Sequence, residues 1–358
     1  MKGLYIHIPF CKNICSYCDF CKFLYQEKWV GAYLKCLKNE IKDRYLDDEV
    51  STIYIGGGTP SCLNIEQLKY LFKIIKNIKL TTIYEFTFEC NIEDIKEDLL
   101  FILKENGVNR LSIGIQSFNK KNLEFMNRHA DFKDALKKIN LCRQFGFNNI
   151  NIDLIYAIPG QKIRDLKKDL KLFLKLKPDH ISTYSLIIEE NTLLKVENIK
   201  PISEELDYDM FKLIEKKLKK YHHYEISNFA LKNKESKHNL IYWNNLEYYG
   251  FGLSAAGYIE QIRYENTKNL KDYLLGNYIK EKTFISKDEQ MNYEVMLGLR
   301  KLQGINLKEF ESKYHISFKN AYKIDKLLKN KDLIEKKGYI YINPDKLYVM
   351  NEILLKII

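Results

Sequence analysis

Along the first 190 residues, short runs of β-branched and aromatic residues alternate with longer stretches whose apolar positions recur every three or four residues. The short runs, Leu4 to Ile8, Thr52 to Ile55, Tyr84 to Glu89, Leu111 to Ile115, Ile150 to Ile155 and His180 to Ser185, read as strands. Between them, Trp29 to Tyr45 (with Leu34, Leu37 and Ile41 on one face), Ile65 to Asn77, Ile95 to Asn106, Phe132 to Phe145 and Lys162 to Lys175 read as amphipathic helices. Repeated strand–helix units build a parallel sheet, and six such units fall short of the eight that close a barrel. The pattern predicts an α/β protein with an incomplete (β/α)6 barrel, open on one side and roomy enough for a bulky ligand.

The alternation breaks from Asn191 to Asp288, a Tyr-rich stretch expected to be irregular and to pack across the barrel opening. From Glu289 it changes again: a helix to Arg300, a turn at Gly304, two short helices, and a hairpin from Leu333 to Ile342 around Gly338. That order is winged-helix-like. The expected units are therefore a barrel over 1–190, a covering segment over 191–288 and a small C-terminal domain over 289–358.

Composition narrows the class. A chain of 358 residues with 46% hydrophobic content buries a large core. Pro9, the first cysteines and Asp19 interrupt any leader-like apolar run. No stretch approaches the roughly 20 apolar residues of a membrane span, so a cytoplasmic protein is expected. The net charge of +11 invites a nucleic-acid reading. Its lysines, however, are spread over every helix alongside abundant Ile, Asn and Tyr, and residues 289–358 carry no concentrated basic helix, so no nucleic-acid partner is expected.

Of eight cysteines, Cys11, Cys15, Cys18 and Cys21 crowd into one loop just after the first strand. In a cytoplasmic chain such crowding argues for metal or redox chemistry over disulfides; Cys36, Cys62, Cys90 and Cys142 read as core thiols. The C-x3-C-x2-C spacing of the first three suits a cubic iron–sulfur cluster, whose four irons each take one thiolate, with one iron left open. The competing reading is a zinc site closed by Cys21, although structural zinc usually joins two separated ligand pairs. Gly56, Gly57 and Gly58, followed by Thr59 and Pro60, end the second strand, where a backbone without side chains can approach a ligand. Glu89 and Gln116 end the third and fourth strands, Arg128 follows one short helix later, and Asp153 lies in the fifth strand. Parallel barrels gather ligand sites at that C-terminal rim, so these residues are expected to converge.

Taken together, Tyr5 to Cys11 with the cysteine spacing, Gly56 to Pro60, Arg110 to Phe118 and Asn151 to Tyr156 resemble the radical S-adenosyl-L-methionine proteins related to oxygen-independent coproporphyrinogen III oxidase. Within them, His223 to Ala230 (HYEISNFA) and His238 to Trp243 (HNLIYW) are similar to the haem chaperone, or HemW, branch. The resemblance implies that Cys11, Cys15 and Cys18 hold a 4Fe-4S cluster whose open iron chelates S-adenosylmethionine. It further implies that Tyr5 and Tyr17 flank that site and that Gly57, Gly58 and Thr59 meet the methionine end. Glu89, Gln116, Arg128 and Asp153 would then position the rest, with Ile187 and Ala256 as apolar contacts to the adenine. The oxidases carry a further cysteine where this chain has Phe20, and a long extension before the cluster, and both departures disfavour the oxidase. Cys21 is expected not to ligate.

The same resemblance makes His238 the ligand to haem iron, with Tyr242 and Trp243 offering apolar surface to the porphyrin; His222 and His223 are its rivals. The expected function is haem delivery to an acceptor protein. An electron donor is expected as a second partner, and no catalytic residue is assigned. Homodimer formation and peripheral membrane contact are left open by the sequence. The alternatives are a coproporphyrinogen-oxidising enzyme and, more remotely, a zinc-dependent nucleic-acid-binding protein.

Overall fold

In the computed structural model, which describes residues 1–358, β1 (Lys2–Ile8) leads through α1 (Glu27–Arg44), β2 (Val50–Gly57), α2 (Ile65–Ile75), β3 (Leu80–Asn91) and α3 (Glu97–Glu105) to β4 (Arg110–Gln116). Then follow α4 (Phe132–Gln144), β5 (Ile150–Tyr156), α5 (Ile163–Lys175) and β6 (His180–Ser185). The six strands pair in parallel in sequence order, as expected. Side chains alternate across a strand, and here the alternation separates two chemistries. Leu4, Ile6 and Ile8 on β1, or Leu111, Ile113 and Ile115 on β4, join the core under the helices. Their neighbours, among them Tyr5, Tyr54, Glu89, Arg110, Asn151 and His180, form a polar barrel interior.

The stretch 191–288 is not irregular. It holds α6 (Glu204–Lys217), β7 (His222–Glu225), β8 (Asn228–Ala230), α7 (Lys237–Trp243), β9 (Tyr248–Phe251), β10 (Ala256–Ile259), β11 (Ile262–Asn266) and β12 (Ile279–Phe284). Strand β9 adds a seventh parallel strand beside β1, and β10, β11 and β12 continue from it antiparallel. On the other side β8 pairs antiparallel with β6 and β7 with β8, giving one twelve-stranded sheet that ends on β12 and β7. These strands are three to six residues long, too brief for a period-two pattern to stand out. Nor is the stretch a separate unit: Phe229, Tyr249, Phe251, Leu253, Ile259 and Tyr273 belong to the barrel's own core.

A buried carboxylate ties this segment to the first helix. Glu40 accepts hydrogen bonds from the Gly252 amide at 2.8 Å, Asn266 Nδ2 at 2.6 Å and the Tyr273 hydroxyl at 2.6 Å, and it pairs with Arg44. A buried charge is tolerated only with such a full set of partners.

The C-terminal unit keeps the expected order of elements, with three helices rather than two between the Gly304 turn and the hairpin. Helix α8 (Lys287–Gly298) starts with a Ser286–Glu289 capping box, and α9 (Leu307–Tyr314) is followed by two single-turn helices. The Leu333–Lys336 and Tyr339–Ile342 hairpin turns on Lys337 and Gly338, both at positive φ as a two-residue turn requires. A core of its own, including Val295, Phe310, Phe318 and Ile340, holds it together. No helix of the protein is long and apolar enough to cross a membrane.

Replacing Glu40 with Ala strands Asn266, Tyr273 and Gly252 without their acceptor. We expect a loss of about 3 kcal/mol of unfolding free energy, measured by urea denaturation. A loss below about 1 kcal/mol would show that the hub does not hold the middle segment.

Candidate cofactor site

The loop carrying the cysteines is held at both ends and in the middle. Phe10–Cys11 pairs in parallel with Phe23–Leu24, closing residues 12–22 into a loop over the C-terminal ends of the barrel strands. At its centre the Ser16 hydroxyl donates to the Phe125 carbonyl at 2.7 Å, the Ser16 amide to the Met126 carbonyl at 3.2 Å, and Asn127 Nδ2 to the Ile14 carbonyl at 2.8 Å. The turn that carries Arg128 is thereby fixed against the cysteines: Arg128 Nη1 lies 4.0 Å from Cys15 Sγ.

Beneath the loop is a cavity of about 370 Å³, lined among others by Cys11, Cys15, Cys18, Tyr17, Gly57, Gly58, Thr59, Glu89, Gln116, Arg128 and Asp153. The convergence expected at the rim is therefore present. Ile187, 66% exposed, and Phe20, 64% exposed, stand at the cavity mouth. Two expected members fall outside the lining. Tyr5 places its hydroxyl 3.0 Å from His7 Nδ1, within the barrel and away from the cavity wall. Ala256 is an exposed residue opening β10, paired with Glu265 on the added antiparallel strands, and it does not reach the cavity.

The glycines are required by close approach. A β-carbon on Gly58 would stand 2.9 Å from Cys11 Sγ and 2.9 Å from the Phe10 carbonyl oxygen. Gly57, at φ +116°, would bring one within 2.7 Å of the His7 ring. The Gly57 amide donates to Glu89 at 3.1 Å, and the Tyr54 hydroxyl donates to the same carboxylate at 2.6 Å. Burial nevertheless pushes the Glu89 carboxyl up to about 7, against the pull of the Tyr54 bond. Burial likewise raises Asp153, which accepts from Asn151 Nδ2 at 2.7 Å.

Arg128 spends its guanidinium on Asn91 Oδ1 and the Gly114 carbonyl, both at 2.7 Å, while its Nε finds no partner. Gln116, at φ +73°, turns its side chain into the same corner, and its Oε1 is buried and unpartnered. Orphaned polar atoms at a cavity wall are what a ligand would satisfy.

Burial raises the Cys11 thiol and raises Cys18 to about 11, so metal loading must displace protons from these sulfurs. The Thr59 hydroxyl donates to Cys11 Sγ at 3.5 Å, and a donor favours the thiolate. No group of three His, Cys, Asp or Glu side chains is placed to share a single ion; a cubane does not ask for one, because each thiolate sits on a different iron. Cys21 does not line the cavity, and its thiol turns to the Lys268 carbonyl at 3.7 Å. A zinc site closed by Cys21 is thus not assembled, whereas three thiols, a glycine cradle and unpartnered polar atoms fit a cluster with a chelating cofactor.

Several participants were missed in the sequence: Asn91, Arg110, Ser112, Asn151, Ser182 and Tyr184 all line the cavity. Each lies at an alternate position of a strand read mainly for its apolar residues, and that period-two polarity was the available signal.

His238 lies at the opposite, N-terminal end of the strands. Helix α7 plugs this floor, with the Lys237 and His238 amides donating to Glu85, each at 3.1 Å. His238 is 1% exposed and both its ring nitrogens are engaged, Nδ1 with the Thr52 hydroxyl at 2.8 Å and Nε2 with the Tyr242 hydroxyl at 2.7 Å. Burial lowers it to about 3, so the ring is neutral. The residue expected to ligate haem iron is thus closed off, and in this conformation an iron reaches neither nitrogen. Of its rivals, His223 stacks on Phe229 at 4.0 Å, and His222 is exposed beside Glu235. Asn239 of the same helix lines the cavity from below, so the cavity runs from the cysteine loop to α7.

Comparison with known proteins agrees with this geometry. Residues 5–173 match the Radical SAM superfamily model and residues 285–347 the HemN C-terminal domain. The heme chaperone HemW of Lactococcus lactis subsp. lactis (strain IL1403) is 37% identical over 99% of this chain and 97% of its own. That of Bacillus subtilis (strain 168) is 38% identical over 98% and 96%. Among solved structures, coproporphyrinogen III oxidase (HemN) from Escherichia coli, described as a radical SAM enzyme, superposes with a TM-score of 0.87 at 25% identity, covering 99% of this chain and 89% of that one. With its cysteine loop over a partial barrel and its near-full-length likeness to these relatives, the chain belongs to the HemW family of the radical SAM superfamily.

Proposed function

We propose that this protein is a haem chaperone that binds haem, holds a 4Fe-4S cluster with S-adenosylmethionine, and passes haem to an acceptor protein. The observation that carries the reading is the likeness to two heme chaperones at 37% and 38% identity over nearly the whole chain, the α7 segment included. Coproporphyrinogen oxidation is named for a structural neighbour at 25% identity, and it is not adopted.

In this reading Cys11, Cys15 and Cys18 ligate the cluster, leaving one iron without a protein ligand. Once bound, the cluster supplies a one-electron reductant for the sulfonium of S-adenosylmethionine. The protein's own residues do the rest. Thr59 and Arg128 stabilise the thiolates of Cys11 and Cys15, the Gly57 to Thr59 backbone and Glu89 receive the amino-acid end, and Gln116, Arg128 and Asp153 hold the remainder. Tyr17 covers the cluster side and Ile187 the adenine side. His238 ligates haem iron after α7 lifts from the floor, because its nitrogens must first leave Thr52 and Tyr242. A neutral imidazole has no proton to lose on binding the metal. The expected setting is the cytoplasm, with an electron donor and a haem acceptor as partners.

Cys11→Ala, Cys15→Ala and Cys18→Ala should each lose most of their iron and sulfide after anaerobic reconstitution, whereas Cys21→Ala keeps near-parental content. Collapse of Cys21→Ala to the level of the other three would favour a four-thiolate site.

His238→Ala should shift or abolish the Soret band of bound haem with cluster content unchanged, while His222→Ala and His223→Ala bind as the parent does. An unchanged spectrum and affinity in His238→Ala would remove it as the axial ligand.

A further inference from the structure

A line of buried side chains runs from the cavity wall to the helix that carries His238. Asp153 accepts from Asn151 Nδ2 at 2.7 Å; the same Nδ2 donates to the Ser112 hydroxyl at 2.8 Å. Asn151 Oδ1 then accepts from His180 Nδ1 at 2.6 Å and from the Ser182 hydroxyl at 3.1 Å. His180 Nε2 accepts from the Tyr224 hydroxyl at 2.8 Å, and that hydroxyl oxygen accepts the Ser236 amide at 3.2 Å. Ser236 is the N-cap of α7. Asn151, His180, Ser182, Tyr224 and Ser236 are all buried, so water does not interrupt the line.

With Asp153 ionised, the direction of every bond in this line follows from its two ends. A carboxylate oxygen only accepts, so Asn151 must present its NH2 to Asp153 and its carbonyl oxygen to His180. His180 must then carry its proton on Nδ1 and accept at Nε2. Burial and the nearby Arg110 cation hold it well below the usual imidazole range, hence neutral with one proton to place. Tyr224 must donate to Nε2, which leaves its oxygen free for the Ser236 amide. With the Asn151 amide turned over, the order reverses: His180 donates from Nε2, the Tyr224 proton swings toward Ser236, and two donors face each other at the start of α7. A buried donor left unsatisfied costs about 1–3 kcal/mol, so the orientation of Asn151 biases whether α7 stays docked.

We propose that Asn151, His180 and Tyr224 are positioning residues that couple the cofactor site to α7, so that S-adenosylmethionine bound against Asp153 fastens α7 and keeps His238 covered. A ligand hydroxyl donating to Asp153 favours its acceptor-only form and with it the orientation that satisfies Ser236. By linkage, a ligand that needs α7 lifted, as haem does in the reading above on which this consequence rests, opposes the cofactor to the same extent. Cofactor binding would then help release haem.

The test is hydrogen exchange of the α7 amides, residues 237–243, in the cluster-reconstituted protein with and without saturating S-adenosylmethionine, and no haem present. The parent should exchange there roughly fivefold or more slowly with the cofactor. Tyr224→Phe, which removes one hydroxyl from the line, should lose that ratio. Thr52→Val, which breaks a tether of His238 that lies outside the line, should raise exchange in both states and keep the ratio, a separation that a merely structural role for Tyr224 would not produce. An equal rate in the parent with and without bound cofactor overturns the coupling, as does a parental ratio in Tyr224→Phe. Failure of the parent to bind haem would count against the chaperone reading and leave this ratio as it is.

Discussion

Polar groups inside a barrel stay there only if they satisfy one another, and the interior of this one is polar from floor to rim. An unpaired buried donor or acceptor costs about 1–3 kcal/mol, more than an ordinary hydrogen bond contributes, so each interior position constrains the next. Glu85 holds the first amides of α7. Asn151 is shared among Asp153, Ser112, His180 and Ser182, and Glu89 takes both Tyr54 and the Gly57 amide. Among the buried polar atoms left without a partner, Arg110 Nε, Gln116 Oε1 and Arg128 Nε belong to residues of the cavity wall, where a ligand would sit.

The two ends of the barrel serve different chemistry through that one interior. At the rim, a loop of three thiols is pinned to the Phe125–Arg128 turn and to the glycine strand end, which places cation, hydroxyl and backbone donors around the sulfurs. At the floor, α7 is pressed between Glu85 and the C-terminal unit, where Arg300 lies over Trp243 at 5.8 Å and Asn245 Nδ2 donates to the Gln290 carbonyl at 3.2 Å. The small domain thus closes on the helix that carries His238.

Much of this was legible in the sequence because its causes are local. The six strand–helix units follow from period, the glycine strand end from close backbone approach, and the Gly338 hairpin from a turn that demands positive φ. The cysteine spacing likewise foretold three thiols on one cavity. What escaped were effects of long range. The strands of 191–288 are too short to show a pattern, and the place of β9 to β12 beside β1 depends on distant partners such as Glu40, 233 residues from Tyr273. Tyr5 and Ala256 were assigned to the cofactor site by resemblance and lie outside its wall. His238 was recognised by its neighbours Tyr242 and Trp243, yet sequence could not show that Tyr242 engages the histidine itself and closes it off.

If Cys11, Cys15 and Cys18 hold three irons of a cluster, the fourth is open to a ligand in the cavity they share with Glu89 and Asp153. Electron paramagnetic resonance of the reduced, reconstituted protein tests it most directly. We expect a 4Fe-4S signal whose g values change when S-adenosylmethionine is added, as the open iron gains new ligands. A signal unaltered by saturating S-adenosylmethionine, or a reconstituted protein with zinc and no sulfide, would contradict it.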